Sequence, residues 1–152
     1  MSLLIRPATA ADSARIAEVY IRSFRDLIPG VTMAHTDEQV RAWIKKRVVP
    51  SGLVTVAARD GEIVGMMSLE PTPECSWIHH LYVHPKEIGR GVGTALLHHA
   101  MDTLPRPIRL HTFQSNLRAR DFYKRHGFTP IAYGDGSENE EGAPDMLLQL
   151  SQ

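Results

Sequence analysis

The chain has 152 residues, enough for one ordinary domain with a real core. Hydrophobic residues make up 43% and charged residues 22%, a balance that excludes a disordered polymer. Lys+Arg and Asp+Glu both number 17, so net charge offers no case for a nucleic-acid or membrane-surface partner.

Ser2 to Arg6 reads as a short strand that Pro7 stops. Thr9, with Asp12 three residues on, caps a first helix carrying Ile16, Val19, Tyr20 and Phe24 at helical spacing. Pro29-Gly30 closes that region. Thr36 and Gln39 form a capping box for a second helix with Val40, Trp43, Ile44 and Val48 on one face. Two β-type runs follow, Leu53 to Ala58 and Ile63 to Leu69, and Asp60-Gly61 between them is a hairpin turn signal. Trp77 to Val83 is the next strand. A third helix spans about Gly91 to Thr103 before Pro105 and Pro107, and Ile108 to Phe113 is again β-type. Ser115 or Asn116 caps a fourth helix with Ala119, Phe122 and Tyr123, ended by Gly127. Phe128 to Tyr133 and Met146 to Leu150 finish as strands. The order β-α-α-β-β-β-α-β-α-β-β is a mixed α/β (α+β) domain, with residues 1–152 read as a single unit. No apolar run approaches the ~20 residues that span a bilayer, and the N-terminal residues do not form a signal peptide. One cysteine, Cys75, forms no internal disulfide, which suits a reducing cytoplasm; it reads as a small core hydrophobe.

The most specific segment joins the fourth strand to the third helix. Gly89, Arg90, Gly91, Val92, Gly93 and Thr94 set three glycines at alternating positions ahead of an amphipathic helix. Helix N-termini carry unpaired N–H donors and a positive dipole end, so such a loop holds a diphosphate. No Lys-Ser/Thr pair follows the glycines, which sets aside a Walker A loop. The spacing is not G-x-G-x-x-G, and the loop follows a hairpin rather than the first strand, which sets aside a dinucleotide fold.

Three stretches together point to one family: Leu81-Tyr82-Val83-His84-Pro85, the glycine loop with Ala95-Leu96-Leu97, and Asn116 through Ala119-Arg120-Asp121-Phe122-Tyr123 to His126-Gly127-Phe128. The chain resembles the GCN5-related N-acetyltransferase (GNAT) family, whose members move an acetyl group from acetyl-CoA to an amine. The resemblance implies a mostly antiparallel sheet of six to seven strands, four helices and a splayed central strand pair. It implies that Leu81, Tyr82 and Val83 pair with pantetheine amides as an added strand would. The pyrophosphate then lies on the amides of Gly89 to Thr94, with Arg90 or Lys86 meeting phosphate charge and Asn116 near the thiol end. Ile88 stands where the family has Arg or Gln, so the cradle is a backbone one.

Tyr123 matches the tyrosine that protonates the departing thiolate; the alternative is a core aromatic beside Phe122. The base is open. Trp77 occupies a frequent base position and cannot take a proton. His79 shares its face and matches a second position, whereas strict alternation sends His80 to the opposite face. Glu70 and Glu74 are alternatives through water, and an amine that arrives neutral needs no base. Phe24 and Glu70 are candidate acceptor contacts, with Leu27, Ile28 and Trp43 nearby. The eight histidines follow no zinc pattern, so no metal is expected. The segment Asp135 to Asp145 carries five acids and no base, either as a solvated loop or as a field that gathers a cationic amine. The acceptor is a small-molecule or peptide amine. Longer-chain acyl transfer and a non-catalytic acyl-CoA sensor stay open, as does a homodimer through an exposed sheet edge.

Overall fold

The computed structural model describes residues 2–152. Seven strands form one sheet: β1 (Leu3–Pro7), β2 (Val54–Arg59), β3 (Glu62–Pro71), β4 (Ser76–Val83), β5 (Ile108–Phe113), β6 (Thr129–Gly134) and β7 (Asp145–Leu150). Four α-helices are α1 (Ser13–Leu27), α2 (Asp37–Trp43), α3 (Val92–Thr103) and α4 (Leu117–Arg125). The order across the sheet is β1-β2-β3-β4-β5-β7-β6. Every neighbouring pair is antiparallel except β4 and β5, which run parallel.

That parallel pair governs the site. It is joined only at Ser76 with Ile108 and Trp77 with Arg109, and beyond them the strands part. The expected splayed pair is therefore present, and each half of the sheet is held by antiparallel ladders of its own.

Alternation along the strands divides the core. Met66 joins one apolar cluster, with Ile16, Val19, Val40 and Ile44 of the α1–α2 side. Met67, one residue on, joins the other, with Leu96, Leu97, Ala100 and Phe128 of the α3–α4 side. The capping signals hold locally. Thr36 Oγ1 accepts from Gln39 N at 3.2 Å, and Gln39 Oε1 accepts from Thr36 N at 2.9 Å. Asp12 accepts from Thr9 N at 2.8 Å and takes both Arg6 guanidinium nitrogens, so its carboxyl is held down at about 2. The second helix differs from its expected course: after Trp43 it widens into a π turn over Ile44–Val48. Cys75 is buried.

Candidate functional site

The gap between β4 and β5 opens into two cavities. One, of about 410 Å³, lies between the glycine loop and α4. The other, of about 570 Å³, lies between α1, the two parted strands and the β6–β7 loop. Ile28, Leu81, Tyr82, Asn116, Ala119 and Tyr123 line both, so the two form one crevice that narrows at these side chains.

The smaller cavity is built around the start of α3. Gly91 caps that helix at φ +85°, a left-handed conformation that favours glycine, and a Cβ placed there or on Gly89 would meet open space. The first helical bond runs from Ala95 N to Gly91 O, which leaves the amides of Val92, Gly93 and Thr94 outside the ladder. Open space, unpaired donors and a helix N-terminus suit the diphosphate of a coenzyme A thioester. The unpaired edge of β4 beside it suits the pantetheine amides.

The basic residues differ from expectation. Arg90 bonds Glu87 at 3.0 Å, and Glu87 also takes Arg59; neither Arg90 nor Lys86 lines the crevice. Arg118 and Arg125 of α4 line it instead. A cation in the first turn of a helix opposes the dipole, and Arg118 in that position was the signal available in the sequence. Asn116 lines both cavities, but its Oδ1 is engaged as the cap of α4, accepting from Ala119 N at 3.3 Å.

Tyr123 stands where the two cavities meet. It is only 7% exposed, and no hydrogen bond among the described residues engages its hydroxyl, which faces the crevice rather than lying enclosed in protein. Burial pushes its hydroxyl well above the ordinary phenol range, so it stays protonated at neutral pH and is a donor. Its ring also packs edge-on against Phe122 and Phe128, so the core-aromatic and site readings coexist.

In the larger cavity, strict alternation fails. Ser68 pairs with His80 and Leu69 with Ile78, which leaves His79 as an unpaired bulge. As a result both His79 and His80 line the cavity, which corrects the expectation that His80 takes the opposite face from His79, although its ring does face the helices. His79 Nε2 lies 2.8 Å from Glu70 Oε1, and its ring stacks on Trp77, which stacks in turn on His111. Glu70 touches the cavity only through His79 and is not part of its lining. His80 Nδ1 lies 3.0 Å from Ser68 Oγ, and its ring meets Tyr20, Trp43 and Tyr82. Burial, aided by nearby His79, lowers His80 to about 4, so it is neutral at pH 7.

Phe24 is buried and packs edge-on to Phe113 at the cavity wall. Tyr20, which sequence reasoning placed only in the helix core, faces the same space. Burial, with Glu141 and Glu140 adding, pushes its hydroxyl up to about 12. Those two acids belong to the β6–β7 loop, and the loop's Glu138 and Asp145 also line the cavity. Two contacts join the α1–α2 side of the chain to the other side of the crevice: His35 Nε2 to Glu140 Oε2 at 3.0 Å, and Ser115 Oγ donating to Pro29 O at 2.9 Å.

Comparisons with known proteins agree with this geometry. The model of the acetyltransferase (GNAT) family matches residues 14–128. An N-acetyltransferase of Archaeoglobus fulgidus, itself uncharacterized, is 29% identical over 147 residues, covering 88% of this chain and 99% of that protein. The peptidyl-lysine N-acetyltransferase YiaC of Escherichia coli K12 is 24% identical over 131 residues, 82% of each chain. Among solved structures, the PaiA N-acetyltransferase of Thermoplasma acidophilum in complex with coenzyme A superposes with a TM-score of 0.80 at 19% identity, covering all of both chains.

Proposed function

Because the chain belongs to the acetyltransferase (GNAT) family, transferring an acetyl group from acetyl-CoA to an amine, we propose a route for that transfer through the crevice. Residues 1–152 act as one acetyltransferase domain. The amides of Gly89, Gly91, Val92, Gly93 and Thr94, with Arg118 and Arg125, hold the diphosphate. Leu81, Tyr82 and Val83 offer their strand edge to pantetheine, and the thioester comes to the junction beside Tyr123 and Asn116. Acetyl-CoA supplies an electrophilic carbonyl and a thiolate leaving group.

The acceptor amine enters from the larger cavity, against Phe24. It attacks the carbonyl directly, forming the C–N bond as the C–S bond breaks. Tyr123 gives its proton to the leaving sulfur. With Nε2–H donating to Glu70, His79 keeps a lone pair on Nδ1 and takes the amine's proton, directly or through water. Glu70 is thus a positioning residue that fixes a tautomer, rather than an acceptor contact. The buried Cys75 takes no part. The single cysteine fits a cytoplasmic location, and no helix among the described residues is long and apolar enough to cross a membrane.

The observation that carries this reading is the position of Tyr123, a largely buried side chain whose hydroxyl faces the crevice where a diphosphate-type cavity meets a second cavity. The test is an acceptor screen with acetyl-CoA, following free-thiol release and product mass together. Thiol release matched by an acetylated amine is expected. Acetyl-CoA binding with no turnover of any amine class would leave a sensor instead.

A further inference from the structure

The charges in the crevice are segregated. At the glycine-loop end the cations are Arg118 and Arg125, and the acid there, Glu87, is neutralised by Arg59 and Arg90. The acceptor end has four carboxyl side chains, Glu138, Glu140, Glu141 and Asp145, and neither Lys nor Arg among its lining residues. Two of the four are engaged, Glu140 with His35 and Asp145 with Asn139. Glu141 is different. It is half-buried, and among the described residues it has no hydrogen bond or ion pair, although its charge reaches the buried hydroxyls of Tyr20 and Tyr82. An acid that lines a cavity without a counter-ion is available to a cation that enters it. That the cavity is a ligand site rests on a separate observation, the Tyr123 hydroxyl that faces it at its inner end.

The reacting nitrogen gives up its charge before it attacks, so it does not neutralise these acids while the reaction proceeds. The acids therefore serve a second positive group that stays charged during the reaction. Between Glu141 and Tyr123 the wall is aromatic: Tyr20, Trp43, His80 and Tyr82 pack on one another, Tyr20 and Tyr82 with centroids 4.9 Å apart. Such a wall suits an alkyl chain and favours a cation at its end. His80 is uncharged at neutral pH and does not oppose it.

We infer that the acceptor is a small aliphatic diamine or polyamine, with one amine acetylated at the Tyr123 junction while a distal ammonium rests on Glu141 and its neighbouring acids. This assignment rests on the acetyltransferase reading above and narrows its acceptor. It makes Glu141 the residue that selects a second charge.

The experiment compares 1,4-diaminobutane, n-butylamine, 4-aminobutanoate and a lysine-containing peptide, by acetylation kinetics and by calorimetric titration into the CoA-loaded protein. The diamine is expected to exceed n-butylamine by about tenfold or more in both kcat/KM and affinity, as one desolvated charge pair allows, and 4-aminobutanoate to be the poorest. In Glu141→Gln the diamine-to-monoamine ratio shrinks to within about threefold, with CoA titration reporting that the variant is folded. Equal use of diamine and n-butylamine by the unaltered protein, or preference for the peptide, would overturn the assignment and leave acetyl transfer intact. So would a ratio that survives in Glu141→Gln. If no amine is acetylated, it is the acetyltransferase reading that has failed; diamine-selective binding in the titration would then still support the cation site, and unselective binding would dispose of it.

Discussion

Tyr123 and His79 divide the two proton transfers of the reaction, and each has a distinct signature. Removing the Tyr123 hydroxyl leaves a ring still packed against Phe122 and Phe128, so Tyr123→Phe keeps its fold. Its kcat should fall by about 10²-fold or more, the usual worth of a placed acid, with the KM for acetyl-CoA little changed. An unchanged kcat would assign the hydroxyl to packing alone. For His79, the paired variants Glu70→Gln and His79→Gln separate positioning from proton transfer. Glu70→Gln should shift the acidic limb of the pH–rate profile, and His79→Gln should remove it. His80 acts on stability instead. Its folded value of about 4 lies below its ordinary 6.5, so the unfolded chain binds the proton first as pH falls. Its contribution is complete above pH 6.5, declines from there to pH 4 and is gone below. With the ring's partial exposure allowed for, it amounts to at most about 2 kcal/mol. Urea melts of the native protein and His80→Phe should therefore diverge across that window. Parallel curves would show that His80 is not buried neutral.

At the scale of elements, the β6–β7 loop is the piece most exposed to a single-atom test. Gly136 sits at φ +96°, and a Cβ there would lie 2.6 Å from the backbone of Gly142. The loop folds back on itself at that point and is pinned beside it, Asn139 donating to Ala143 O at 2.8 Å and Gln114 to Gly134 O at 3.0 Å. Gly136→Ala must push the loop open at a cost of about 1–3 kcal/mol. The expected outcome is a raised KM for the amine with the KM for acetyl-CoA held, because the loop touches only the acceptor cavity. A matching rise in both would mean that the loop supports the whole crevice. The same scale shows what the sequence makes legible. Capping at Thr36 and the glycine run before Val92 are local signals, and both elements stand where those signals put them. The side of the sheet that His80 takes is not local. It depends on a bulge in the pairing of β4 with β3, and no residue in β4 announces it. Arg90 lies in the motif, yet Glu87 takes it, a competition that spacing cannot reveal. Glu141 is legible as part of an acidic run, but that it shares a cavity with Tyr20 of α1 and Tyr82 of β4 is not.

The whole molecule is neutral, and its function depends on that neutrality being unevenly spread. The sheet consists of two antiparallel halves joined by two residue pairs, and the crevice between them carries Arg118 and Arg125 beside an ion-paired Glu87 at one end and four acids at the other. A ligand spanning the gap supplies contacts that the protein itself lacks, so coenzyme A should bind as a structural bridge as well as a reactant. By mass action, ligand at 100 times its Kd stabilises the folded state by about 2.7 kcal/mol, which thermal melts would read as a raised midpoint. Hydrogen exchange can locate the source. Coenzyme A should slow exchange at Gly89 to Thr94, where it meets the start of α3, and also at Leu81 to Val83, where pantetheine would complete the strand edge. Adenosine diphosphate has the diphosphate but no pantetheine. It should protect the glycine loop and leave β4 as it was. If adenosine diphosphate protected both segments alike, the loop and strand would be responding as one unit, and strand completion by the ligand would not be the bond that joins the two halves.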